Sequence, residues 1–343
     1  MLDYLLPMTL AATIALLTTP LARRLAYRIG AVDVPKDNRR VHKEPIPRMG
    51  GLAIYAATIS TFLFFCDFSL QKTAGILIGS AMIVVMGVFD DVKALPAKLK
   101  LLVQIAAAFV LVFSGLQITF FTNWLQPDQL VYLSWLSIPV TVVWIVGITN
   151  TVNLIDGLDG LATGVSITAA IALAVVAHAN GFQQAATLTM IIAGACLGFL
   201  PHNFNPAKIF MGDTGSLFLG YMLAVISILG SLKSATALIV PIIALGLPIF
   251  DTTFAIVRRY LSGRPIMEAD KGHLHHRLLH IGLSQKRAVL LLYLKSGLFG
   301  LGAVLLANQK YMKGLSVLFA VAILILIPIN MTLDITKKKD RVE

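Results

Sequence analysis

About eleven apolar runs, each 17 to 23 residues long and separated by short polar stretches, leave this chain few ways to fold. A helix needs roughly 20 residues to cross a hydrocarbon core, and in lipid every backbone N–H and C=O must be satisfied within its own segment. The pattern therefore predicts an all-α polytopic membrane protein. Its spans fall at 4–25, 49–67, 73–89, 99–117, 135–152, 161–179, 184–201, 214–231, 235–257, 287–307 and 312–333. Only 13% of the 343 residues are charged, against roughly 25% in soluble domains. No polar stretch is long enough for a soluble domain, and no internal repeat or low-complexity segment is evident. Residues 1–343 read as a single integral membrane domain.

Lysine and arginine set the orientation. Of 28, 23 fall in one set of loops and the C-terminal tail, four fall in the opposite loops, and Lys295 lies within a span. The positive-inside rule places the N-terminus outside and the C-terminus in the cytoplasm. This bias accounts for most of the net charge of +11; the same charge also suits anionic lipid heads and phosphate-bearing substrates. Nucleic acid is excluded as a partner, because the basic residues are spread over loops anchored in a membrane. The outer stretch 118–134, with Gln126-Pro127-Asp128 at its middle, reads as a short extracellular β-hairpin. Cys66 and Cys196 are isolated in apolar runs and read as packing residues. The first segment is followed by Arg23-Arg24 rather than a small-residue cleavage site, so it reads as a retained helix.

Four acidic or histidine clusters lie at span ends on the cytoplasmic side. Asp90-Asp91 closes the third span; two adjacent carboxylates repel, and a divalent cation or Lys93 would relieve them. Hard oxygen ligands suit Mg2+, with Mn2+ as the alternative. A solvated helix end is the plainer account, although the helix dipole disfavours acids there. The run Asn153 to Gly160 holds Asp156 and Asp159 and no basic residue, which is unusual for a connector on the positive face. Gly157 and Gly160 make it a tight turn. The stretch Asn203 to Ser216 contains Phe210, Gly212 and Asp213; Asp213 or Thr214 would cap a helix there, or Asp213 would face a ligand while Gly212 and Gly215 let the backbone approach a phosphate or metal closely. His273-Leu274-His275-His276-Arg277 lies in the basic loop 258–286 without the ligands of a closed zinc site, and fits phosphate better. The first cytoplasmic loop carries Asp33, Lys43, Arg48 and Gly50-Gly51 between prolines, either as a topology anchor or as part of the site. Asp251 lies inside the ninth span and serves either a site or helix pairing, and Lys295 either snorkels or pairs within the bundle.

From Asp33 to His276 these motifs, in this order and spacing, resemble the polyprenyl-phosphate N-acetylhexosamine-1-phosphate transferase family. His-Leu-His-His-Arg-Leu at 273–278 is similar to the branch using UDP-N-acetylglucosamine; the branch using UDP-MurNAc-pentapeptide normally shows three consecutive histidines. Such enzymes initiate teichoic acid, O-antigen lipopolysaccharide and related envelope polymers. The resemblance implies that undecaprenyl phosphate in the inner leaflet of the bacterial cell membrane attacks the β-phosphate of UDP-GlcNAc, releasing UMP. It implies a Mg2+ cofactor with Asp213 as ligand, Asp90 as base for the lipid phosphate, and Asp91 positioning metal or phosphate. Asn153, Asp156 and Asp159 would hold the nucleotide and metal region; Lys43, Asn203 and Phe210 would contact the uridine. His273, His275, His276 and Arg277 would bind pyrophosphate or sugar. A one-step displacement and a covalent phospho-aspartate route both remain open, and a homodimer is admitted. The competing class is an ion-coupled secondary transporter, whose acids would lie near the midplane in repeated broken helices rather than at span ends.

Overall fold

The computed structural model of the protein describes residues 2–35, 44–122, 130–231, 239–261 and 273–307. Its helices are α1 (Leu5–Ile29), α2 (Gly51–Phe65), α3 (Leu70–Val92), α4 (Ala97–Phe113), α5 (Ser137–Leu154), α6 (Leu161–Ala179), α7 (Gln183–Asn203), α8 (Gly212–Ser231), α9 (Ile239–Ala244), α10 (Gly246–Leu261), α11 (Leu274–His280) and α12 (Gln285–Ala307). Among the described residues, seven helices are long and apolar enough to cross a membrane. The chain is a multi-pass, essentially all-helical membrane protein. The expected span 312–333 and the residue Lys43 lie outside the described residues.

The bundle is built around α8. Its apolar stretch is 94% buried, and α2, α3, α5, α6 and α7 all pack against it. A helix surrounded by other helices needs no polar face, and α8 carries its one charged residue, Asp213, in its first turn. By contrast α1 is mostly open on its outer side, where Leu6, Leu17 and Leu21 are exposed, as a lipid-facing helix requires.

The ninth span, expected to be continuous over 235–257, is instead two helices, α9 and α10, separated at Leu245. The cause is local: Pro248 has no N–H to give to the carbonyl four residues earlier, and its ring crowds that position. The loop 258–286 likewise contains the short helix α11. Lys295 is buried in α12 with its ammonium enclosed and, among the described residues, without a hydrogen-bond partner, so it neither snorkels to a surface nor pairs with a described residue.

Two small antiparallel sheets mark opposite ends of the molecule. β1 (Val32–Asp33) pairs with β2 (Ile46–Pro47) between α1 and α2. β3 (Phe120–Thr122) pairs with β4 (Leu130–Tyr132) between α4 and α5, giving the hairpin expected near 118–134. At the first end the chain after β2 runs beside the segment leading into α8: Phe210 N–H donates to Pro47 O at 2.8 Å, Gly50 N–H to Phe210 O and Gly51 N–H to Met211 O, both at 2.9 Å. That end gathers the last turns of α3 and α5, the exit of α7 and the first turns of α6, α8 and α12.

Candidate active site

Asp90 and Asp91 occupy the last turn of α3, where its own dipole disfavours them. The neighbouring elements compensate. Asp91 Oδ1 accepts the Asp213 N–H at 2.9 Å, and Oδ2 accepts the Thr214 N–H at 3.1 Å and the Thr214 hydroxyl at 2.6 Å. One carboxylate thus satisfies the free amides that start α8 and sits at the positive end of its dipole. Gly212, at φ +70°, makes this possible: a Cβ there would lie 2.3 Å from Asp91 Oδ2. Asp90 Oδ1 accepts the Leu95 N–H at 2.8 Å, and its Oδ2 is 3.3 Å from Lys100 Nζ.

Asp213 is the hub. Lys100 Nζ approaches its Oδ2 at 3.0 Å, Asn153 Nδ2 donates to its Oδ1 at 3.2 Å, and Arg48 Nη2 stands 4.0 Å from Oδ1. Arg48 also reaches Asp91 Oδ1 at 3.5 Å. It is held by its backbone: its N–H donates to Ala31 O at 2.9 Å, and it forms a parallel bridge with Phe210. Asn153 is oriented in turn by Ser216, whose hydroxyl accepts its Nδ2 at 2.8 Å.

Asp213 opens onto a cavity of about 320 Å³ lined also by Asn153, Asp156, Asp159, Asn203, Phe210 and His276, with Asp33, Arg48 and Gln285. Seven of the expected site residues therefore meet there. Asp90 and Asp91 stand behind it, tied to Asp213 rather than lining it. Asn203 is buried and braces the loop before α8: it accepts the Thr163 hydroxyl at 2.7 Å and donates to Ile209 O at 3.0 Å.

The histidine segment divides. His273 Nδ1 pairs with Asp251 at 2.9 Å, and Asp251 also accepts the Leu274 N–H at 2.9 Å, so this intramembrane carboxylate ties α11 to α10. His275 is buried against the turn after α5, where a Cβ on Gly157 would lie 2.4 Å from its Nε2. Burial, and then the His276 ring, push its imidazole down to about 3. It packs against this turn, and the lowered value favours the neutral imidazole there. Arg277 stacks 5.6 Å from the Phe254 ring centroid on α10. Of this segment, His276 lines the cavity.

Asp156 differs from the other acids: no N–H or O–H of a described residue donates to its carboxylate. Burial, then the carboxylates of Asp213 and Asp91, push it up to about 8 against the opposing effect of Arg48. A half-buried carboxylate without a donor, beside Asp213 in one cavity, is an environment short of positive charge. The donor set is all oxygen, as Mg2+ or Mn2+ prefers, and such ions keep open positions for water and phosphate rather than demanding a closed protein cage. Among the described residues no group of three or more acids and histidines converges on one point; Asp213 and Asp156 are the two carboxylates that could offer oxygen to a hard divalent ion in this cavity.

Lys100 and Gln285 are site residues that the sequence did not single out, whereas Arg48 was open there to either reading, topology anchor or site, and the structure places it in the cavity. Basic residues in these loops are what membrane topology requires, which hides a functional one. Lys100 left one signal, since it interrupts the start of an apolar run.

The family description Glycosyl transferase family 4 matches residues 73–231. The chain is 45% identical, over 90% of its length and 86% of the relative's, to a Bacillus subtilis protein described as a probable undecaprenyl-phosphate N-acetylglucosaminyl 1-phosphate transferase. The chain belongs to the polyprenyl-phosphate N-acetylhexosamine-1-phosphate transferase family. It is 39% identical to the decaprenyl-phosphate N-acetylglucosaminephosphotransferase of Mycolicibacterium smegmatis, over 85% of this chain and 79% of that one. It is 32% identical to the phospho-N-acetylmuramoyl-pentapeptide-transferase of Moorella thermoacetica, over 84% of this chain and 94% of that one. As a member of this transferase family the protein is a membrane-embedded enzyme of glycosyl-1-phosphate transfer. Within the family match lie Asn153, Asp156, Asp159, Asn203, Phe210 and Asp213; Asp33, Arg48, His276 and Gln285 complete the same cavity from outside it.

Proposed function

We propose that this transferase moves GlcNAc-1-phosphate from UDP-GlcNAc to undecaprenyl phosphate on the cytoplasmic face of the bacterial inner membrane, releasing UMP and initiating an envelope glycopolymer such as teichoic acid. The observation that carries the chemistry is the pairing of Asp213 in one cavity with Asp156, whose carboxylate accepts no hydrogen bond from a described residue, beside Arg48 and an aromatic face, Phe210. The excess of lysine and arginine at the loops of this end supports a cytoplasmic site, where UDP-sugars are found. The GlcNAc donor is supported by the relatives of Bacillus and Mycolicibacterium and by the interrupted histidine run at 273–276.

A terminal oxygen of the lipid phosphate forms a bond to the β-phosphorus of UDP-GlcNAc; the bond from that phosphorus to the bridging oxygen breaks, and UMP departs with the electron pair. A phosphate monoester has its second pKa near 6, so the nucleophile is largely dianionic at neutral pH and needs little help from a base. Asp90 is assigned instead to holding Lys100 against Asp213. Asp213 and Asp156 would hold Mg2+ or Mn2+, with Asp91 positioning Asp213 through the start of α8. When bound, the ion supplies charge neutralisation for the two phosphates and the leaving UMP. Arg48 adds a second positive charge on the same side, Asn153 fixes the Asp213 rotamer, and Phe210 offers a face for the uracil.

The test is UMP release by purified protein given undecaprenyl phosphate, Mg2+ and either UDP-GlcNAc or UDP-MurNAc-pentapeptide, with Asp213→Ala alongside. Lipid-dependent release from UDP-GlcNAc that Asp213→Ala reduces by at least about 100-fold is the expected result. Release only from the pentapeptide donor would move the protein to the peptidoglycan branch, and folded protein that turns over neither donor would overturn the assignment.

A further inference from the structure

Gln285, the first residue of α12, has no place in the chemistry above, yet it lines the same cavity as Asp159 and Phe210. Asn205 joins the two polar residues. Its Nδ2 donates to Asp159 Oδ2 and to Gln285 Oε1, both at 2.9 Å, and the Ala207 N–H donates to the same Asp159 oxygen at 3.0 Å. Donor and acceptor roles follow in sequence from these bonds. A carboxylate only accepts, so the Asn205 atom facing Asp159 is its amide nitrogen. An amide nitrogen only donates, so the Gln285 atom facing Asn205 is its carbonyl oxygen. Gln285 is thereby left with its NH2 group directed away from Asn205. Neither that group nor Asp159 Oδ1 hydrogen-bonds to a described residue.

We propose that Gln285 is a specificity-determining residue of the donor site: its NH2 and Asp159 Oδ1, set in register by Asn205, form a paired donor and acceptor that reads the imide edge of uracil. This rests on the assignment of a uridine-diphosphate sugar as donor. The imide ring presents a C=O and an N–H side by side, which matches an NH2 beside a carboxylate oxygen. A secondary acetamide is held trans by amide resonance, so its N–H and C=O point in opposite directions and cannot both meet the pair. Cytosine reverses the pattern, placing an acceptor where uracil has N–H and a donor where uracil has C=O. A site built to hydrogen-bond one pattern rejects the other because its own polar groups are then left unpaired.

Gln285→Glu isolates the effect. The glutamate still accepts from Asn205, so the link between α7, α12 and the 153–160 turn survives, but the donor becomes an acceptor. Equilibrium binding of UMP and of CMP would be measured on purified wild-type and Gln285→Glu protein, with unfolding midpoints alongside. The expected result is UMP preference in the wild type and a fall in the UMP-to-CMP affinity ratio of about tenfold in the variant, at an unchanged midpoint. A ratio unaffected by the substitution, or an equal loss of both nucleotides, would overturn the role of Gln285 while leaving the donor assignment standing. Wild-type protein that binds neither nucleotide would overturn the donor assignment itself.

Discussion

At the scale of single residues, the site is defined by how differently its acids are satisfied. Asp91 accepts three donors, whereas Asp156 accepts none from the described residues and is pushed up to about 8, chiefly by burial. An unfolded-chain aspartate titrates near 3.9. Because the folded-state value is the higher one, Asp156 favours the fold fully below the ordinary value, and that contribution is lost as pH rises through about 8. The slope approaches about 1.4 kcal/mol per pH unit in that window. The chelated protein should therefore lose unfolding midpoint between pH 6 and 8, Mg2+ should restore it, and Asp156→Asn should flatten the profile. Equal slopes for the chelated wild type and the variant would count against this reading. The cluster Asn153-Asp156-Asp159 was legible in the sequence because acids without a base stand out on a positive face. The separate fates of Asp91 and Asp156 were not, since they depend on which N–H groups happen to lie opposite each side chain.

At the scale of elements, α3 and α8 form one unit: the C-terminal acid of one helix caps the start of the other, so two unfavourable ends become a favourable contact. Asp91 and Asp213 should therefore fail differently. Asp91→Ala leaves the part-buried Asp213 amide, the buried Thr214 amide and the Thr214 hydroxyl without their acceptor, and is expected to cost about 2–4 kcal/mol of stability as well as activity. Asp213→Asn should abolish turnover and lower the midpoint by less than Asp91→Ala, since the asparagine keeps the backbone N–H that Asp91 accepts and loses only the partly exposed pairings with Lys100 and Arg48. Parallel melting and turnover measurements decide it; an intact midpoint in Asp91→Ala would refute the capping role. Periodicity located α3 and α8 to within a few residues because an apolar run of this length admits only a helix in lipid. The break between α9 and α10 was overlooked because the apolar run continues through Pro241 and Pro248, and hydropathy does not register a missing N–H.

At the scale of the whole molecule, the β3–β4 hairpin and the acidic cavity occupy opposite ends of the bundle, so a single orientation measurement tests both. In a Cys66→Ala, Cys196→Ala background, Leu130→Cys should react with a membrane-impermeant maleimide in intact cells, and Lys93→Cys only after permeabilisation. The reverse pattern would place the cavity outside, away from UDP-sugars. Local composition alone was enough for the membrane class, for the seven long apolar helices among the described residues, for the charge bias that predicts their direction and for the four clusters at span ends. Each of these depends on local composition, which lipid and the positive-inside rule read segment by segment. Helix packing brings Arg48 and Lys100 to Asp213, buries His275 against the 153–160 turn and lets Asn205 couple Asp159 to Gln285. These relations join residues distant in the chain, through contacts set by how the helices pack, and no local pattern encodes them.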